Sequence, residues 1–196
     1  MDKPKIRFLT SQDVVAYREL RLQALRESPT AFASSFEQEA CLTVTDFVKR
    51  LSTHDNLTSG IFGAFDDSDR LIGMLGFSRE NRPKRAHIGN LWSMYVLPKF
   101  RRRNVGTVLL PSAFPKRDHQ KLPRTIFSFK SQSHARQLGV LRQIILAVTA
   151  NNVAASSLYK SRGFERFGLE HDALFVDGSY FDEEHLVLRF VCEKSD

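Results

Sequence analysis

Met94-Tyr95-Val96-Leu97-Pro98-Lys99-Phe100-Arg101-Arg102-Arg103-Asn104-Val105-Gly106-Thr107 is the most informative stretch of the chain. An apolar strand closes at Pro98, where the ladder donor is lost. Three arginines then make a basic turn, and Val105 to Leu110 reads as the opening of a helix. The first N–H groups of a helix have no partner within it, and the helix dipole puts partial positive charge there. A pyrophosphate suits such a place, because a glycine leaves the approach to the backbone donors clear. Arg101, Arg102 and Arg103 would add attraction and a charge-assisted contact. A second reading stands beside this one: a basic strand-to-helix turn whose glycine serves only helix-to-strand packing.

Outward from this centre the chain alternates strand and helix. Upstream, Ile6 to Leu9 alternates as an opening strand, and Thr10 to Asp13 offers caps for a helix through about Arg26. Ser28-Pro29 ends it. Thr45 or Asp46 caps a second helix carrying Phe47, Val48 and Leu51. Residues 61–65 and 71–77 read as a hairpin across an Asp-rich turn, and His87 to Leu97 as a longer strand. Downstream, Leu141 to Val148 is a β-branched run suited to a buried strand. Asn152 opens an amphipathic helix to about Arg162, closed by Gly163, and 164–169 and 184–191 are the closing strands. The pattern predicts one α/β domain over 1–196, with a mixed, mostly antiparallel central sheet flanked by helices.

Composition agrees. Of 196 residues, 42% are hydrophobic and 16 are Phe, enough apolar surface to oppose disorder. No apolar run approaches the roughly 20 residues that cross a bilayer, and the N-terminus lacks a secretory pattern. Two cysteines exclude a disulfide framework, and His119 and His134 lack ligand spacing, so no metal is expected. The expected location is cytoplasmic, with no membrane partner. Charge is segregated: Arg79 to Arg142 holds fifteen Lys or Arg against Glu80 and Asp118, a balance of +13, leaving −6 elsewhere in the +7 chain. That points to a polyanionic partner, such as a phosphorylated cofactor, a nucleic acid or an acidic surface, or else to a solvated basic face.

The 94–107 segment resembles the acetyl-CoA-binding motif of the GNAT N-acyltransferase superfamily, a strand with V-x-P followed by [Q/R]-x-x-G-x-[G/A]. Val96 and Pro98 fill the first part, and Arg101, Asn104 and Gly106 the second. Asn104 replaces the usual first glycine; asparagine tolerates left-handed angles, though its side chain could crowd a phosphate. Asn152-Val153-Ala154-Ala155-Ser156-Ser157-Leu158-Tyr159-Lys160-Ser161-Arg162-Gly163-Phe164 is similar to the family's N-x-x-A-x-x-L-Y-x-x-x-G-F signature. The two motifs come in the family's order. Leu20 to Phe32 resembles its substrate-side helix and loop.

The resemblance implies an acetyl-CoA-dependent N-acetyltransferase, in which a small-molecule or peptide amine attacks the thioester without a covalent enzyme intermediate. It implies that Met94-Tyr95-Val96 splays from its neighbour and offers backbone groups to the pantetheine arm, with the Val96 N–H facing the thioester oxygen. Arg101 to Thr107, including Val105 and Thr107, would surround the pyrophosphate. Tyr159 matches the general acid, and Asn152 a cofactor contact. Each keeps an ordinary alternative: Tyr159 as a core residue with a surface hydroxyl, Asn152 as a plain N-cap. The base is unassigned. Where some members carry a carboxylate this chain has Ala147; His87 is chemically suitable, and Glu37 and Glu39 could attract a cationic amine.

From about 111 to 134 the chain departs from the family. Pro111, Pro115 and Pro123 interrupt a helix that normally continues, predicting a shortened helix and a basic loop carrying Phe127 and Phe129. Two other functions stay open: a non-catalytic acyl-CoA-binding protein, and a basic nucleic-acid-binding module. The second is disfavoured, since aromatic interleaving and a helix-turn-helix pattern are missing. The acceptor amine is unidentified, and a homodimer is allowed.

Overall fold

The computed structural model describes residues 3–52, 59–112 and 141–190. Among the described residues seven strands form one sheet: β1 (Lys5–Phe8), β2 (Ser59–Phe65), β3 (Leu71–Arg79), β4 (Ile88–Val96), β5 (Gln143–Thr149), β6 (Glu165–Val176) and β7 (Ser179–Arg189). Their spatial order is β1-β2-β3-β4-β5-β7-β6, and every neighbouring pair is antiparallel except β4 with β5. The expected mixed, mostly antiparallel sheet is therefore what the chain forms.

Strand alternation divides the apolar residues between two faces. Ile61, Phe65, Leu71 and Met74 point toward α1 (Val14–Glu27) and α3 (Val44–Ser52), which add Tyr17, Leu20, Leu25, Phe47 and Leu51. On the other face Phe62, Ala64, Ile72, Ile144 and Leu146 pack with Leu109 and Leu110 of α4 (Val105–Ser112) and Tyr159 of α5 (Val153–Lys160). The short α2 (Phe36–Ala40), which the sequence pattern does not announce, follows the loop after α1. Thr10 and Asp13 form a capping box before α1, within the expected capping stretch. By contrast, α3 is capped by neither Thr45 nor Asp46 but by Thr43, which exchanges hydrogen bonds with Asp46 inside the first turn.

The closing hairpin differs from expectation. The strands do not stop near 169 and resume at 184; β6 and β7 continue through 170–176 and 179–183 to a turn at Asp177-Gly178. The extension was hidden because much of β6 is exposed, so no period-two burial pattern marks it. α4 is followed through Ser112, with Pro111 in its last described turn. The expected loop with Phe127 and Phe129 lies outside the described residues.

Candidate active site

β4 is paired with β3 over most of its length but with β5 only at its start. The parallel ladder joins Ile88, Gly89 and Asn90 to Gln143, Ile144 and Ile145, and no further pairs follow. Beyond it Ser93 has φ 53, and the register with β3 slips between Met74 and Gly76. This is a bulge, which bends a strand and strengthens its twist. It also resets the alternation of side chains. Leu91 and, three residues on, Met94 belong to the α4 face, while Trp92 and Tyr95 belong to the α1 face.

The direction of the Val96 amide follows from one hydrogen bond. The Leu97 N–H donates to the Ile72 carbonyl of β3 at 3.0 Å, with Val96 opposite Gly73. Successive residues of a strand present their N–H groups to opposite edges. Val96 therefore turns its N–H and C=O away from β3, toward the gap where β5 has departed. Arg101 Nε donates to that carbonyl at 2.9 Å, and the guanidinium lies 5.4 Å from the Tyr95 ring centre. Arg101 thus fastens the strand end to the turn that follows, a task the sequence did not reveal.

The turn itself has the anticipated backbone. Arg102 and Asn104 have φ of 60 and 61, so Asn104 adopts the left-handed conformation that its glycine-like position demands. Its carbonyl accepts the Val108 N–H at 3.0 Å and opens the α4 ladder. The amides of Val105, Gly106 and Thr107 precede that ladder, as the first N–H groups of a helix do. Arg102 and Arg103 are exposed on the turn. A Cβ on Gly106 would stand 3.0 Å from Met94 Cε and 3.1 Å from Leu158 Cδ2. The glycine therefore serves packing: β4, α4 and α5 meet there.

Tyr159 completes this meeting point. It is only 6% exposed, its ring meets Phe164 edge-on at 5.7 Å, and its hydroxyl donates to Met94 Sδ at 3.3 Å. Burial pushes its phenol well above the ordinary tyrosine range, so it keeps its proton at neutral pH. A thioether is a weak acceptor, and the hydroxyl can exchange it for a better one at little cost. Asn152 is the N-cap of α5, its Oδ1 accepting from the Ala155 N–H at 3.2 Å.

Two expectations on the acceptor side are corrected. Glu39 does not wait for an amine: it is 4% exposed and bonded by Arg21 at 2.8 Å and Arg50 at 2.9 Å. Burial alone would raise its pKa, but Arg21 and then Arg50 more than reverse this and hold the carboxyl below its ordinary value. His87 lies just before β4, at the paired end, where its carbonyl accepts from Arg142 and Gln143. At about 3.3 Å per residue that is some 25–30 Å from Val96, too far for proton transfer there. Glu37 is exposed.

Sequence reasoning missed another group. On β7, His185 stands opposite Ala147 and Glu183 opposite Thr149, on the sheet face that also carries Ile145. His185 Nε2 lies 2.7 Å from Glu170 on β6. Burial, with the charge of Glu170 adding to it, raises the Glu183 pKa. The signal was alternation along β7, with Glu184, Leu186 and Leu188 facing α5 and Glu183, His185 and Val187 the other side. It was unreadable without knowing which face lies open.

Comparisons with known proteins bear on the family and the fold. The family model described as an acetyltransferase (GNAT) domain matches residues 58–166, more than half of the chain. No curated protein matches. Among solved structures, the GNAT-family acetyltransferase from Streptococcus pneumoniae is similar over 96% of this chain and 100% of that one, at 20% identity and a TM-score of 0.69. The protein yncA from Salmonella typhimurium, solved with its cofactor acetyl-CoA, covers 100% and 98% at 15% identity and a TM-score of 0.75. A phosphinothricin acetyltransferase from Sinorhizobium meliloti, in complex with acetyl-CoA, covers 96% and 89% at 18% identity and a TM-score of 0.74.

Proposed function

The chain belongs to the GNAT acetyltransferase family, and on that footing we propose that it transfers an acetyl group from acetyl-CoA directly to a primary amine of a small molecule or peptide, within a ternary complex. The observation that carries the proposal is the convergence, around one gap in the sheet, of the outward Val96 amide, the first turn of α4 and the Tyr159 hydroxyl. Acetyl-CoA bound to two proteins of this fold supports the choice of donor.

In this reading the amides of Val105, Gly106 and Thr107 take the pyrophosphate, with Asn104 shaping the turn and Arg101, Arg102 and Arg103 supplying positive charge. Met94, Tyr95 and Val96 border the pantetheine arm, and Asn152 approaches it from α5. The acceptor nitrogen attacks the thioester carbon, the oxygen gains charge and is met by the Val96 N–H, and the carbon–sulfur bond breaks. Tyr159 donates its proton, or a full hydrogen bond, to the departing thiolate. His185, on β7 opposite Ala147 of β5, accepts the proton lost by the amine through water. The reading needs no membrane, places the protein in the cytoplasm and leaves room for a homodimer.

Calorimetric titration with acetyl-CoA tests it. Submillimolar binding followed by CoA release with an amine from a panel is expected. Absence of binding rejects the proposal, and binding without turnover favours a non-catalytic acyl-CoA sensor. Salt-sensitive affinity for nucleic acid in place of CoA binding would favour the basic-module alternative.

A further inference from the structure

We propose that Arg21 is a positioning residue: through Ser93 it holds the left-handed bulge that aims the Val96 amide into the gap. The role in catalysis rests on the acetyl-transfer reading above; the structural claim does not.

Ser93 is a non-glycine residue at φ 53, a conformation that persists only when its surroundings hold it. Its Oγ accepts from Arg21 Nη1 at 3.0 Å. Arg21 is itself immobile. It is 4% exposed, bonded to Glu39 through Nε at 3.1 Å and Nη2 at 2.8 Å, and lies 4.9 Å from the Phe32 ring centre. Glu39 is fixed in turn by Arg50 of α3. Six residues further along α1, Glu27 accepts from the Tyr95 hydroxyl at 2.5 Å. Arg21 and Glu27 are thus about 9 Å apart along the helix, and Ser93 and Tyr95 about 7 Å apart along the strand. The helix grips β4 at two matched points, either side of Met94.

A strand released from this grip returns to regular pleating. Losing one bulge residue moves every later side chain to the opposite face and turns the Val96 N–H toward β3. The first helix and the Phe32 loop, far from the pyrophosphate turn in sequence, therefore set the geometry of the acyl end.

Ser93→Ala and Ser93→Gly separate the hydroxyl from the backbone conformation, and both keep the Arg21–Glu39 pair. Alanine loses the anchor and disfavours positive φ; glycine loses the anchor but accepts the conformation. For Ser93→Ala we expect kcat to fall about tenfold or more with KM for acetyl-CoA within about twofold, and Ser93→Gly to retain most of the rate. Amide hydrogen exchange on the cofactor-free protein gives a second reading. The Val96 amide should become more protected in Ser93→Ala, as it pairs with β3, and stay unprotected in Ser93→Gly. Equal kcat in both variants and wild type, or an unchanged Val96 exchange rate in Ser93→Ala, overturns the clamp. If wild type binds no acetyl-CoA, the acetyl-transfer reading fails, and exchange alone decides the clamp.

Discussion

The two ends of β4 are built from one strand between the same two neighbours, yet one end is closed and the other open. At the start, Ile88, Gly89 and Asn90 sit in a continuous ladder, with Ile144 fully buried beside them. At the far end the strand is bulged at Ser93, tied back to α1 by Arg21 and Glu27, and tied forward to the turn by Arg101. The closed end is held by backbone pairing and apolar packing, which any β-branched sequence can supply. The open end is held by polar side chains that fix the bulge and the strand end. An open seam in a sheet exposes donors that need a partner, and here the partner proposed is a thioester.

Each end can be broken separately. Glu39→Gln should have the largest effect, about 3–5 kcal/mol of stability at neutral pH, because it leaves Arg21 buried without its counter-charge; chemical denaturation measures it. Glu39 has a depressed folded pKa, so its contribution is present above the unfolded value and is lost as pH falls through the folded value. The gap between wild type and Glu39→Gln should therefore narrow in acid, below the ordinary 4.5, and a gap constant with pH would contradict the assignment. Ile144→Ala should cost about 2–5 kcal/mol by opening a cavity at the closed end, with KM for acetyl-CoA nearly unchanged in the molecules that remain folded. A matching rise in KM would show that the two ends are coupled.

Within the open end, Tyr159→Phe should slow acetyl transfer about 10²-fold, equivalent to about 2.7 kcal/mol of barrier, while calorimetry finds acetyl-CoA affinity unchanged. An unaltered rate would return Tyr159 to a packing role. The smallest change is expected of Asn104→Gly. It removes a left-handed non-glycine and clears the side chain from the turn, so acetyl-CoA should bind a few-fold tighter, by roughly 0.5–1 kcal/mol. Weaker binding would mean that the Asn104 side chain is itself a ligand.

Much of this was legible in the chain. The 94–107 and 152–164 segments carry their meaning locally: a strand stop, a basic turn, a helix start and an N-cap are short-range events, and the structure forms each within a residue or two of its expected place. The left-handed Asn104 could be anticipated because its conformation is set by its immediate neighbours. The long closing hairpin could not, since its polar residues alternate without a buried face to mark them. Nor could the fate of Glu39, which depends on Arg21 and Arg50, 18 residues before and 11 after it.

What the sequence by itself determined is the kind of protein: the order of strands and helices, the left-handed turn that opens α4, and the tyrosine that follows in α5. These depend on interactions among residues a few positions apart, so their physics is complete within the segment. Tertiary structure alone decided which way the Val96 amide points, which carboxylates are spent on arginines, and that Glu183 and His185 share the sheet face away from α5. Those outcomes depend on side chains brought together from distant elements, where a single bulge residue changes the face presented by everything after it.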